Sequence, residues 1–237
     1  MDKALTLLSF GPEGWGDELA AGAWLTIRLA LATLPFGLAM GFAVGLARNA
    51  GAKPLRALGN GYATLFRGLP ELLTLFLVYY GGQALLSRLA SLVSDTPVEV
   101  SAFVAGLVAL GLVFSAYASD VFLGAFRAIS RGQVEAGFAL GLNPRQVMRL
   151  VVLPQLVRIA LPGLANLWLV LLKDTSLVSV IALNDLLRET SVAVGATKEP
   201  FLFYLVACLI YLALSIVSSL GIFRIERWSE RGHRRAR

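Results

Sequence analysis

The polar positions of this chain are clustered, and the apolar runs between the clusters set its architecture. Stretches without Asp, Glu, Lys or Arg cover 29–47, 102–119 and 201–223. A bilayer core of roughly 30 Å takes ~20 mainly apolar residues per helix, because every backbone polar group must be satisfied within the segment. Two further stretches are less clean: 72–86 follows Arg67 and Glu71, and 159–187 is interrupted by Lys173 and Asp174. The pattern predicts an all-α integral membrane protein with five transmembrane helices, two of them carrying charge at membrane depth. Composition agrees, since 57% hydrophobic and only 15% charged residues are too apolar for an ordinary soluble domain.

Lysine and arginine placement predicts orientation. Alternate gaps hold Arg48, Lys53 and Arg56, then Arg127, Arg131, Arg145, Arg149 and Arg158, then Arg224, Arg227, Arg231, Arg234, Arg235 and Arg237. The intervening gaps hold fewer, Lys3, Arg88, Arg188 and Lys198 among them. The bias predicts an N-out, C-in chain and makes the +6 net charge topological. Residues 1–20 are then an extracytoplasmic segment, 21–223 the membrane domain and 224–237 a basic cytoplasmic tail. That tail could bind anionic lipid, but a cytoplasmic anchor is the simpler expectation, and no nucleic-acid partner is expected. No basic region precedes an apolar run at the start, so the first helix is expected to act as an uncleaved signal.

Little chemistry is available. Cys208 is alone in the last apolar run and His233 is alone in the tail. The sequence therefore offers no metal-ligating cluster, no histidine base within a helix and no phosphate-binding GxxxxGK[ST] loop. No catalytic residue and no cofactor of its own are expected, and the chain does not read as an enzyme.

The segment 135–154 stands out. Glu135, Ala136, Gly137 and Ala139 give a short helix with a small, closely approachable face. Gly141 suits the left-handed conformation that ends a helix, Asn143 an N-cap and Pro144 a first helical position, while Pro154 reads as a break before the next membrane helix. On spacing alone, a generic helical hairpin and a docking element are equally open.

These residues carry a resemblance. Glu135-Ala136-Gly137, then Gly141, then Leu153-Pro154 resembles the EAA–G–LP loop of ABC importer permeases, with Gly137 where alanine is usual. Tyr62-Ala63-Thr64-Leu65-Phe66-Arg67-Gly68-Leu69-Pro70-Glu71 resembles the RG-x-P approach to the second helix in the polar amino-acid branch. Ser115-Ala116-Tyr117-Ala118-Ser119-Asp120 is similar to that branch's AY-x-(A/S)-E, with aspartate for glutamate, and Lys173-Asp174-Thr175-Ser176-Leu177 to a stretch of its fourth helix. Glu71 and Glu199-Pro200-Phe201 are similar to one permease of the histidine, lysine–arginine–ornithine and octopine-type systems.

The resemblance implies a type I ABC importer permease fold with a cytoplasmic coupling helix in the loop 128–158. It implies a multi-pass protein of the bacterial inner membrane that imports polar amino acids, of which basic amino acids or opines are the favoured class. The implied partners are an ATP-binding subunit, which uses the ATP and Mg, a solute-binding protein and a second homologous permease. A heterodimer is expected, with a homodimer as the alternative. Glu135, Ala136, Gly137, Gly141, Leu153 and Pro154 would couple to the ATPase, while Glu99, Asp185 and Glu189 in outer loops would meet the binding protein.

Charges inside a membrane are costly and face protein or water. Lys173 lies about 21 Å along its helix from Ile159 at 1.5 Å per residue, past the bilayer centre. Two compatible readings follow. Lys173 pairs with Asp120 or Glu71 to fix packing, or carboxylates at Asp120 or Asp174 receive a cationic group of the substrate beside Thr175 and Ser176. Arg67, Gly68 and Pro70 read equally as a gate or hinge and as a simple kink. Gly37, Gly41 and Gly45 form a GxxxG face for close helix approach, and Tyr79, Tyr80, Trp168 and Trp228 read as interface or core aromatics. The competing function is a self-sufficient secondary transporter or channel, but no inverted repeat is evident. An intramembrane enzyme lacks its nucleophile pair.

Overall fold

The computed structural model describes residues 2–92 and 99–230, with side chains over 3–92 and 99–227. The side chain of Trp228 and the tail residues from Arg231 to Arg237, His233 included, lie outside the described residues. All regular structure in the described residues is helical: α1 (Asp2–Leu7), α2 (Gly16–Asn49), α3 (Lys53–Gly68), α4 (Glu71–Phe76), α5 (Gly82–Ala90), α6 (Ala102–Ala128), α7 (Arg131–Ala139), α8 (Pro144–Val147), α9 (Leu153–Asp174), α10 (Leu186–Thr197) and α11 (Pro200–Glu230). A π-helical turn, Leu77–Gly81, joins α4 to α5, and a second, Met148–Val152, joins α8 to α9. Five helical stretches are long and apolar enough to cross a membrane: Gly16–Asn49, Glu71–Ala90, Ala102–Ala128, Pro144–Ile181 and Pro200–Arg227. The five expected spans are present.

Their ends differ from the expectation in three places. The fourth span, expected over 159–187, stops being α-helical at Asp174, tightens into a 3-10 stretch Thr175–Ile181 and ends at Ala182, whose φ is 59°. Thr175 and Ser179 hydroxyls donate to the carbonyls of Leu172 and Ser176 at 2.7 and 2.8 Å. Such local bonds compete with the α ladder. The remainder of the apolar run is a separate helix, α10, capped by Asp185.

Pro70 does not kink a membrane helix. It stands in extended backbone before α4, with φ −58° and ψ 133°, and its carbonyl accepts from the Thr74 N–H at 3.0 Å. Pro154 does not break the chain either. The π turn Met148–Val152 runs straight into Leu153 in helical backbone, so the hydrogen-bond register widens one turn ahead of the residue that lacks an N–H.

Contacts group the chain into two units: Met1–Pro35, Leu69–Gly111 and Val170–Val217 form the first, and Phe36–Gly68, Leu112–Leu169 and Ser218–Arg237 the second. In the first, Leu19, Leu186, Ala193, Phe203 and Ala207 form a core joined by Trp15 and Leu202. Gly22 lets α2 meet the start of α10, where a Cβ would lie 2.9 Å from the Asp185 carbonyl oxygen. In the second, the Gly37–Gly41–Gly45 face of α2 lies against α6. Cβ atoms there would meet the Phe114 ring at 2.5 Å, Ala118 at 2.7 Å and Phe122 at 3.0 Å. The glycines therefore permit the close approach that their spacing predicts.

Candidate functional site

The expected coupling residues lie on one helical hairpin of the second unit. Gly141 takes φ +79°. Its N–H donates to the Phe138 carbonyl at 2.9 Å, and the Leu142 N–H reaches back to the Gly137 carbonyl at 3.1 Å. These two bonds make a Schellman stop for α7. Asn143 then caps α8, its side chain accepting from the Gln146 N–H at 3.0 Å while the Gln146 side chain accepts from the Asn143 N–H at 2.9 Å, with Pro144 following. Glu135 and Ala136 are exposed, as are Phe138 (47%) and Leu140 (81%). Gly137, where alanine was expected by resemblance, is buried against Val147, and a Cβ there would sit 3.0 Å from Val147 Cγ2. Leu153 is half-buried and Pro154 exposed. Beside the hairpin opens a cavity of about 660 Å3 with Phe126, Val147 and Val152 among its apolar residues and Arg127, Arg131 and Glu135 among its charged ones.

Asp120 is not an unpaired carboxylate, and its partner is not Lys173. Arg48 Nη1 lies 2.6 Å from Asp120 Oδ1, and Arg67 Nη1 contacts Asp120 Oδ2. Arg48 also donates to Ser119 Oγ at 2.7 Å and from Nε to Asn60 Oδ1 at 3.1 Å. One turn away, the Tyr62 hydroxyl meets Ser115 Oγ at 2.7 Å and donates to the Leu112 carbonyl at 3.1 Å. Arg67 stacks over the Tyr117 ring at 5.7 Å. The physical reason for the correction is proximity: α2 and α3 end beside this turn of α6 and deliver two guanidinium groups to one carboxylate.

The other expected substrate residues belong to the first unit. The carboxyl groups of Asp174 and Glu71 face each other at close range, and both side chains are half-buried. Lys173 is exposed and makes no direct salt bridge among the described residues. Thr175 is fully buried, with its hydroxyl used by the helix, and Ser176 is half-buried. Gly68 has open space around its Cβ position.

Asp185 is a second correction. It has no exposed surface, so it does not meet a partner as an outer-loop residue would. Its carboxyl accepts from the Arg188 and Leu187 N–H groups at 3.1 and 3.3 Å. Burial nevertheless outweighs these bonds and pushes its pKa up to about 6. Glu189, half-buried in the same turn, is also raised, by burial and by Glu18. Arg48 and Asp185 are the two residues whose roles the sequence pattern hid. By pattern Arg48 is one of many topological arginines, and Asp185 reads as an outer-loop carboxylate.

Residues 33–231 match the model of the family described as binding-protein-dependent transport system inner membrane component. The chain is 42% identical over 232 residues to the nopaline transport system permease protein NocQ of Agrobacterium fabrum, covering 97% of this chain and 98% of that one. It is 40% identical over 230 residues to the arginine ABC transporter permease protein ArtQ of Escherichia coli, covering 92% and 97%. Among solved structures, the crystal structure of an amino acid ABC transporter with histidines is 29% identical with TM-score 0.77, covering 90% of this chain and 94% of that one.

Proposed function

The chain belongs to the family of binding-protein-dependent transport system inner membrane components, as a translocation subunit and not an enzyme, and from that premise we propose that it imports cationic amino acids or opines across a bacterial inner membrane. A separate subunit hydrolyses the ATP, and a solute-binding protein delivers substrate to the outer face. A second, homologous permease completes the path. The lysine and arginine bias supports an N-out, C-in orientation, which puts the α7–α8 hairpin in the cytoplasm. Nopaline and arginine, named for the relatives, share a guanidinium group, and the facing carboxyls of Glu71 and Asp174 have the charge to receive one. Lys173, Thr175 and Ser176 flank that pair, and Arg67, Gly68 and Pro70 form the joint before α4, where a change of conformation would gate the path.

The observation that carries the coupling role is the hairpin itself. A short helix held by a Schellman stop on one side and a capping box on the other presents Glu135, Ala136, Phe138 and Leu140 to the outside. Such rigid presentation suits docking into the ATPase, with Leu153 and Pro154 linking the hairpin to the fourth span. ATP binding would then shift the helices between two states of different substrate affinity. In proteoliposomes carrying the assembled importer, Glu135→Gln and Gly141→Asp should retain assembly while uptake per ATP hydrolysed falls about tenfold or more. That fall corresponds to losing one charge-assisted contact or imposing one left-handed penalty. Wild-type coupling in both variants would contradict the docking role.

A further inference from the structure

The cluster around Asp120 does not balance its charges. Two guanidinium groups, Arg48 and Arg67, converge on one carboxylate, and neither makes any other salt bridge among the described residues. The cluster carries one surplus positive charge at the ends of α2 and α3, where a second anion can meet it. The two arginines are not equivalent. Arg48 is 11% exposed and is held from three sides by Asp120, Ser119 and Asn60. Its geometry is fixed. Arg67 is 43% exposed, meets Asp120 through Nη1 alone and otherwise lies over the Tyr117 face. A guanidinium can make two parallel bonds to a carboxylate, so Arg67 keeps donors to spare. It is also the residue next to Gly68, the end of α3, whose Cβ position is open.

We infer that Arg67 is a carboxylate-receiving residue: Asp120 occupies it in the empty protein, and the α-carboxylate of the transported amino acid takes that place during passage. This rests on the amino-acid import reading. Asp120 remains neutralised by Arg48 when Arg67 leaves it, so the exchange strands no bare aspartate in the membrane. The site recognises what every amino acid shares, the carboxylate, and leaves side-chain selection to other groups. Because Arg67 ends α3, the swap of partners also reports occupancy to the joint at Gly68–Pro70.

The test measures binding of labelled arginine to the assembled transporter in nanodiscs without binding protein, competed by unlabelled arginine or by agmatine, which keeps the guanidinium and lacks the carboxylate. The wild type should favour arginine over agmatine by about tenfold or more, as one charge-assisted bond implies. Arg67→Gln should abolish that preference by weakening arginine alone, and Arg67→Lys should restore part of it. Asp120→Asn, which removes the internal competitor, should tighten arginine and leave agmatine unchanged. Equal weakening of both ligands in Arg67→Gln, or no change, overturns the inference. Running the series in phosphatidylcholine and again with phosphatidylglycerol separates the rival source of an oxyanion. An Arg67 effect seen only with phosphatidylglycerol assigns the site to lipid and overturns the inference too. A wild type that binds no amino acid at all sinks the import reading and this inference together, whereas binding indifferent to the carboxylate sinks this one only.

Discussion

Asp185 lies between the fourth and fifth membrane spans, with no exposed surface and two backbone N–H groups directed at its carboxyl. Its pKa of about 6 is above the ordinary 3.8, so the native state holds a proton that the unfolded state has already lost between these values. The associated stability is complete below about pH 4 and disappears as pH rises through about 6. Asp185→Asn keeps an oxygen for the Arg188 N–H, gives up the longer bond from the Leu187 N–H and removes the ionisation. Thermal denaturation of the purified protein between pH 4 and pH 7 should show a falling midpoint for the wild type and a flat one for the variant. At pH 7 the variant should be the more stable by about 2–3 kcal/mol. Parallel profiles would contradict this account of the cap. Sequence alone does not disclose it, because Asp185 follows an apolar run and only the three-dimensional neighbourhood makes it a buried cap. Gly141 and Asn143 are the opposite case. Their roles depend on bonds within a few residues of themselves, so spacing suffices to read them.

At the scale of elements, packing rests on where backbones can approach. Along α2 the face made by Gly37, Gly41 and Gly45 touches α6, and a Cβ on Gly41 would stand 2.7 Å from Ala118 Cβ and 2.9 Å from the Ser115 carbonyl oxygen. Gly41→Leu should therefore overpack this contact and cost about 1–3 kcal/mol. Gly61→Ala on α3, where nothing lies within 4 Å, should be neutral or stabilising by up to about 1 kcal/mol. Melting temperatures of the two variants, taken side by side, check both. A Gly41→Leu protein as stable as the wild type would mean that α2 and α6 do not pack this way. The five spans were legible from the apolar runs because bilayer thickness constrains length so strongly. The end of the fourth was not, since hydroxyl bonds from Thr175 and Ser179 decide it and leave hydropathy unchanged. The partners of Asp120 were equally hidden: they come from α2 and α3, far along the chain, and no spacing rule joins them to α6.

At the scale of the whole molecule, family membership and the arrangement of charge point the same way. Two groups of ions stand out: Arg48, Asp120 and Arg67 in one unit, Glu71 and Asp174 in the other. Neither group holds a nucleophile–base pair, and Glu135, Ala136, Phe138 and Leu140 face outward on the hairpin. Energy input therefore lies with a partner and solute passage with this chain. The most direct measurement is uptake of labelled arginine by proteoliposomes that hold this chain with its ATP-binding subunit, its solute-binding protein and the second permease proposed above. Accumulation should require ATP at the inner face and every partner, and should ignore an imposed proton or sodium gradient. Gradient-driven uptake by this chain alone, without ATP, would contradict this.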